Sequence, residues 1–278
     1  MASSTLTHQT VLVTGASRGI GAATAQAFHA AGARVALVAR DVHRLERVAA
    51  DLGDRAVVVP GDTSDPAECR RIATAAAERL GAPVDILVAN AGVLRRDWVE
   101  DISVEDFEAS YRTNVGGGLW LAQALLPGMR ERGHGAIVLV SSELGLIGAP
   151  TYGSYCMSKF ALIGLAETLS HELAGSGVHA CAVCPGNVAT DQMTEEIAWG
   201  PAAGASLEKA LTAEQVAQTI LRAACGNATV VLADKPALKA GFDAMFAMPR
   251  RLRLLIIRDA YKALLKERRQ SLRSGSGA

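Results

Sequence analysis

Short apolar runs rich in β-branched residues alternate along the chain with longer alanine-rich stretches. Residues 10–13, 34–38, 56–59, 86–88, 136–140 and 178–183 are each nearly all apolar. A strand with one wet face alternates apolar and polar side chains, whereas an unbroken apolar run fits a strand covered on both faces. Between these runs, residues 21–31, 43–52, 67–80, 104–132 and 158–173 carry the longer spacing of helices. A helix over 212–224 and a strand over 229–232 follow. Strand and helix in this alternation predict an α/β protein, a three-layer doubly wound parallel sheet. No internal repeat and no linker divides the chain, so residues 1–248 are expected to form one domain. Residues 249–278 are expected to be a helical tail, with the last few, 274–278, disordered.

Composition narrows the function. Half of the residues are apolar, enough for a large core. Lys plus Arg balances Asp plus Glu at 28 each, without the basic excess of a nucleic-acid protein. The balance hides a polarity: from Pro249 onward nine Lys or Arg face only Asp259 and Glu267, giving the tail +7 and the remainder −7. Five cysteines, an odd number in a long chain, make no disulfide framework and point to a reducing, cytoplasmic setting. Cys181 and Cys184 form a CxxC pair, but on a strand their side chains point to opposite faces, so they read as core. No His or Cys cluster has zinc spacing, and His171 and His179 read as incidental. Residues 1–9 are polar and lack the apolar core of a signal peptide, and no run reaches a membrane span.

The first strand runs into Thr14-Gly15-Ala16-Ser17-Arg18-Gly19-Ile20-Gly21. Glycines without Cβ let the turn bend and a pyrophosphate approach, and the following helix offers free N–H groups to it. At the end of the second strand, where a carboxylate commonly accepts from a ribose hydroxyl, stand Ala39 and Arg40. Arg40 and Arg18 together suit a 2′-phosphate, which predicts NADP(H) over NAD(H). Asp41 competes, since it could face the ribose, and both arginines could be plain surface charges. Further on, Tyr155 and Lys159 stand four apart, on one face of a helix. Free tyrosine, with a pKa of about 10, carries protons poorly near neutrality. A neighbouring ammonium favours the phenolate and makes it a usable acid and base. Tyr152 lacks such a partner, because residue 156 is Cys. Ser142, thirteen positions before Tyr155, follows a strand on the side where open α/β sheets bind ligands.

The glycine loop, Ser142, the Tyr155-Lys159 pair and Asn114 occur together at spacings that resemble the short-chain dehydrogenase/reductase family, over about residues 8–190. The resemblance implies a Rossmann-like fold, catalytic Asn114, Ser142, Tyr155 and Lys159, and a homo-oligomer, dimer or tetramer. It also implies a cofactor site of Gly15, Ser17, Arg18, Gly19, Ile20 and Arg40, with Asp62 and Thr63 at the adenine. The turn Asn90-Ala91-Gly92 would lie against the cofactor, and Pro185, Gly186, Val188 and Thr190 near the nicotinamide. Asn114 would support a water chain from Lys159. The glycine-rich Asp-Gly-Gly ending of many members is missing, which resembles the branch acting on apolar alcohols and ketones. The expected activity is NADP(H)-dependent interconversion of a ketone and a secondary alcohol. A non-catalytic NADP-binding regulator is the rival, against which the intact four-residue set argues. An epimerase or dehydratase would need a substrate domain for which the chain lacks room.

Two segments carry further expectations. Residues 191–211, with Met193, Ile197, Trp199 and Leu207 and interruptions at Gly200-Pro201 and Gly204, suggest a mobile lid, or else a fixed excursion. In the tail, Leu254, Ile257, Tyr261, Leu264 and Leu265 fall on one helical stripe. Arg250, Arg251, Arg253, Arg258, Lys262, Lys266, Arg268 and Arg269 flank it. Such a helix either packs on its own domain or a second subunit, or lies peripherally on an anionic membrane.

Overall fold

A computed structural model describes residues 6–194, 210–233, 240, 244–245 and 247–274. Among them, seven strands form one parallel sheet: β1 Thr10–Thr14, β2 Arg34–Val38, β3 Ala56–Val58, β4 Ile86–Ala89, β5 Gly135–Val140, β6 Val178–Pro185 and β7 Val230–Ala233. Their order is β3-β2-β1-β4-β5-β6-β7. Val11 to Val13 of β1 lie beside Val35 to Leu37 of β2 on one side and Ile86 to Val88 of β4 on the other. The chain winds outward from β1 in one direction and then resumes at β4 in the other. The connections therefore part at the carboxyl ends of β1 and β4, leaving a crevice there.

The helices are α1 Gly19–Ala30, α2 Val42–Leu52, α3 Pro66–Leu80, α4 Val104–Tyr111, α5 Gly117–Arg132, α6 Gly153–Glu172, α7 Ala213–Ala224, α8 Arg250–Ala260 and α9 Lys262–Ser274. Alternate strand residues face alternate layers. Leu12, Leu87 and Ile137 pack with Ile72 of α3, Leu121 of α5 and Leu162 of α6. Val13, Leu37, Val88 and Val138 pack with Phe28 of α1, Leu45 of α2 and Ile220 of α7. Both faces of the sheet are thus dry, which is why its strands read as unbroken apolar runs. The CxxC pair divides between the two layers, Cys181 in one and Cys184 in the other. Burial pushes both thiols up to about 12.

Helix ends follow local chemistry. Asp65 accepts from the backbone N–H groups of Ala67 and Glu68, with Pro66 in the first turn. Thr212 and Gln215 form a reciprocal capping box at α7. Two expected boundaries move. Residues 104–132 are not one helix, because a π-helical turn, Arg112–Gly116, separates α4 from α5. The apolar spacing carries no mark of that turn; what holds it is the Asn114 amide, bonded inward. The other change is that α6 begins at Gly153, ahead of the expected residue 158. Its first turn, Gly153 and Ser154, has loop-like composition, but Ser154, Tyr155 and Cys156 are buried there. The tail is two helices, α8 and α9, which meet at Tyr261. No described helix is long and apolar enough to cross a membrane.

Leu87 sits fully buried at the centre of β4. Leu87→Ala should lower unfolding free energy by about 2–5 kcal/mol through lost burial and the cavity left behind. Urea denaturation checks this, and a change well below that range would mean that the core collapses around the site.

Candidate active site

The crevice opens into a cleft of about 1050 Å³. One end is built by the turn between β1 and α1. Gly15 and Gly19 adopt φ of +65° and +54° there. A Cβ on Gly15 would lie 2.8 Å from Asn90 Nδ2, and one on Gly21 would lie 2.2 Å from the Gly15 carbonyl oxygen. The loop therefore presses flat against the Asn90 turn and the start of α1, with bare backbone facing the cleft. Ser17, Arg18 and Ile20 line this end beside them. The Thr14 hydroxyl accepts from the Asn90 and Ala91 N–H groups, each at 2.9 Å, and Asn90 Nδ2 donates to the Thr14 carbonyl at 3.0 Å. A cleft of this size, floored by glycine backbone at a helix N-terminus, fits a dinucleotide.

The far wall of that end carries Ala39, Arg40, Asp41, Arg44, Asp62 and Thr63. Asp41 caps α2 by accepting from the Arg44 N–H at 3.0 Å, and its other oxygen pairs with Arg44 Nε at 3.2 Å. Asp62 accepts from the Ser64 N–H through Oδ1 at 2.9 Å. Arg18 reaches across to Asp191 at 3.2 Å, an exposed pair. Arg44 was not singled out from the sequence, where it reads as one more charge on an exposed helix.

The other end holds the residues expected to do chemistry. Ser142 lies just beyond β5, its hydroxyl accepting from the Leu144 N–H at 3.2 Å. Tyr155 and Lys159 occupy one face of α6, with Lys159 Nζ 5.5 Å from the Tyr155 ring centroid. Lys159 is buried, its Nζ donating to the Val140 carbonyl at 2.9 Å, and desolvation lowers its pKa to about 8. Asn114 sits in the π-helical turn, a local feature frequent at functional sites. Its Oδ1 accepts from the Val93 N–H at 2.7 Å, and its Nδ2 donates to the Val93 carbonyl and Ser158 Oγ, each at 2.9 Å. Gly92 brings these groups together: a Cβ there would lie 3.2 Å from Asn114 Oδ1 and 3.6 Å from Lys159 Nζ. Pro185, Gly186, Val188 and Thr190 close the cleft from β6. Every expected site residue lines the cleft except Asn114, which stands behind Gly92.

Several lining residues had no sequence signal. Tyr152 carries none of the Tyr155 pattern, yet it borders the cleft. The Arg96 guanidinium lies 4.7 Å over its ring and donates to Thr151 Oγ1 at 3.1 Å. Thr151 has φ +69°, a left-handed conformation costly for a β-branched residue. Ile256, Ile257, Ala260 and Tyr261 of the tail also line the cleft. Of the expected lid, Met193 is buried in the cleft wall, while residues 195–209, with Ile197, Trp199 and Leu207, lie outside the described residues. Where the chain is described again, Leu211 donates its N–H to the Asn187 carbonyl at 2.8 Å.

Comparison with known proteins agrees with this architecture. The family model described as short chain dehydrogenase matches residues 9–200. The chain is 35% identical over 207 residues to the D-threitol dehydrogenase of Mycolicibacterium smegmatis, covering 73% of this chain and 78% of that protein. It is 38% identical over 227 residues to the glycine betaine reductase ATRR of Emericella nidulans, covering 78% of this chain but only 18% of that much longer protein. A solved structure described as a putative short-chain alcohol dehydrogenase from Sinorhizobium meliloti 1021 superposes with a TM-score of 0.77 at 31% identity, covering 86% of this chain and 99% of that one. The chain belongs to the short-chain dehydrogenase/reductase family and is an oxidoreductase of the kind that uses nicotinamide cofactors.

The buried ammonium has a measurable consequence. A lysine whose folded pKa is about 8, against 10.5 in its ordinary state, is neutral when folded and charged when unfolded between those values. Folding then releases a proton, so stability from this group rises with pH across that window. Relative to Lys159→Met, the wild type should gain up to about 1.4 kcal/mol per pH unit between about pH 8 and 10.5. Urea denaturation of both proteins near neutrality and near the top of that window reads the difference. A gap independent of pH would mean that Lys159 is not desolvated.

Proposed function

We propose that this oxidoreductase interconverts a ketone and a secondary alcohol on an apolar substrate, preferring NADP(H), with Tyr155 as the general acid and base. One observation carries the reading: Lys159 and Asn114 meet at Gly92, Lys159 Nζ lies 5.5 Å from the Tyr155 ring centroid, and Ser142, just beyond β5, lines the same cleft. The nicotinamide, when bound, supplies or accepts the hydride. The chain's residues manage the oxygen. The Ser142 hydroxyl donates to the substrate carbonyl and holds it beside Tyr155. The Tyr155 hydroxyl gives its proton to the same oxygen as the alcohol forms, and takes it back in oxidation. The Lys159 ammonium, close to the ring, favours the phenolate left behind. Asn114 keeps the π-helical turn open behind Lys159 and supports reprotonation from that side.

The preference for NADP(H) rests on the far wall. Both Asp41 carboxylate oxygens are engaged by Arg44 at the start of α2, which leaves the site less suited to accepting from a ribose hydroxyl. Arg40 beside Ala39 lines the cleft there. The exposed Arg18–Asp191 pair is the weak, screened kind that a phosphate can displace. The apolar substrate rests on Leu94, Leu144, Ile147, Tyr152 and Met193 around the catalytic end.

Tyr155→Phe should lower turnover of a responsive ketone by about 100-fold or more, the usual scale of lost acid–base catalysis, without weakening cofactor binding. Near-wild-type turnover by that variant would refute the role. Ala39→Asp combined with Arg40→Gln should raise KM for NADPH and lower it for NADH, because a phosphate partner is lost and a ribose acceptor gained. A wild type that already favours NADH in steady-state kinetics would overturn the cofactor reading.

A further inference from the structure

The tail enters the catalytic cleft. Ile256, Ile257 and Ala260 of α8, and Tyr261 at its end, share that cleft with Tyr155. Leu94, Leu144 and Ile147 of the body line the same cleft. Ile256 remains 48% exposed, as does Leu252 at 50%, one helical turn earlier. Apolar side chains from tail and body lining one cleft favour an apolar ligand, which removes them from water.

A side chain of α9 ties the tail to the body. Arg268 Nη2 donates to Glu100 Oε1 at 3.0 Å and to Asp101 Oδ2 at 2.8 Å, and its guanidinium lies 5.2 Å over the Trp98 ring. Arg268 is 19% exposed, far from the solvated flank its place in the sequence suggests. Its partners belong to a turn coupled to the catalytic helix. The Asp97 N–H donates to the Thr151 carbonyl at 2.9 Å, and Asp97 bridges Tyr152, the residue that opens α6. Arg268 thus ties the tail to the corner from which Tyr155 is presented. Its carboxylate partners are about half exposed, so the latch is screened by salt and reversible.

We propose that α8 and α9 form a latched substrate wall, and that Arg268 is a positioning residue. Through its grip on Glu100, Asp101 and Trp98 it selects carbonyl substrates with an extended apolar chain. This rests on the proposed ketone chemistry but is read separately from it. The ketones are butan-2-one, with a short chain, and dodecan-2-one, with a long one. Arg268→Glu should raise KM for the long ketone about 10-fold, the scale of a lost apolar contact, while kcat and the KM for the short one hold. Adding Glu100→Lys and Asp101→Lys, which restores the pairing with reversed charge, should recover the long-chain KM. Affinity of the NADP⁺-loaded protein for dodecan-2-one, from tryptophan fluorescence, should follow the same order without turnover. Trypsin should cut the tail faster in Arg268→Glu than in the wild type or the charge-swapped protein. If no ketone turns over but affinity and cleavage follow this order, the ketone chemistry fails and the wall stands. Equal affinity of all three proteins for the long ketone overturns the wall, whatever the cleavage rates. Equal losses for short and long ketones overturn the selectivity.

Discussion

The parting of the connections at the carboxyl ends of β1 and β4 is the constraint on which the site depends. Where the chain leaves the paired strands there, backbone groups lose ladder partners and must find others or face a desolvation cost of roughly 1–3 kcal/mol each. Thr14 resolves this with one side chain, its hydroxyl taking the N–H groups of Asn90 and Ala91 while its carbonyl receives Asn90 Nδ2. These bonds hold the crevice open. The same stitch leaves no room for side chains at Gly15 or Gly21, since a Cβ at either would strike Asn90 or the Gly15 carbonyl. Cofactor loop, strand end and first helix are one object, with little freedom to move separately.

The catalytic end is built on a cost. Lys159 is an ammonium in the dry layer between α6 and the sheet, and its pKa is lowered by that burial. A single carbonyl, that of Val140, receives it. Such a group is unfavourable for folding and useful for function, because a charge without bulk water around it acts strongly on a neighbouring phenol. The π-helical turn at Asn114 is a second departure from regular structure at the same place, and the left-handed Thr151 is a third. All three lie within the elements that border the substrate end, where local strain is retained because the surrounding core over-determines it.

Of the tail's basic residues, Arg251, Arg258, Lys262, Lys266 and Arg269 are exposed, whereas Arg268 turns inward to two carboxylates and an indole. Glu100 and Asp101 carry no sequence signal that pairs them with Arg268, which lies far along the chain. Leu254, expected within the buried stripe, is 56% exposed, while Ile257, Tyr261, Leu264 and Leu265 are half-buried. The break at Tyr261 divides the one expected tail helix into α8 and α9.

What the sequence determined by itself was whatever depends on neighbours along the chain. Unbroken apolar runs declared strands buried on both faces, and the glycine spacing declared a turn too tight for side chains. The interval between Tyr155 and Lys159 placed them on one helical face, even though α6 begins earlier than its composition suggests. The tertiary structure decided what depends on neighbours across space. It opened a π-helical turn around Asn114, stacked Arg96 on Tyr152, set Arg268 against Glu100 and Asp101, and carried Ile256 and Ile257 into the cleft. Local spacing is written in periodicity, whereas these contacts join residues whose separation along the chain has no period, and only packing brings them within reach.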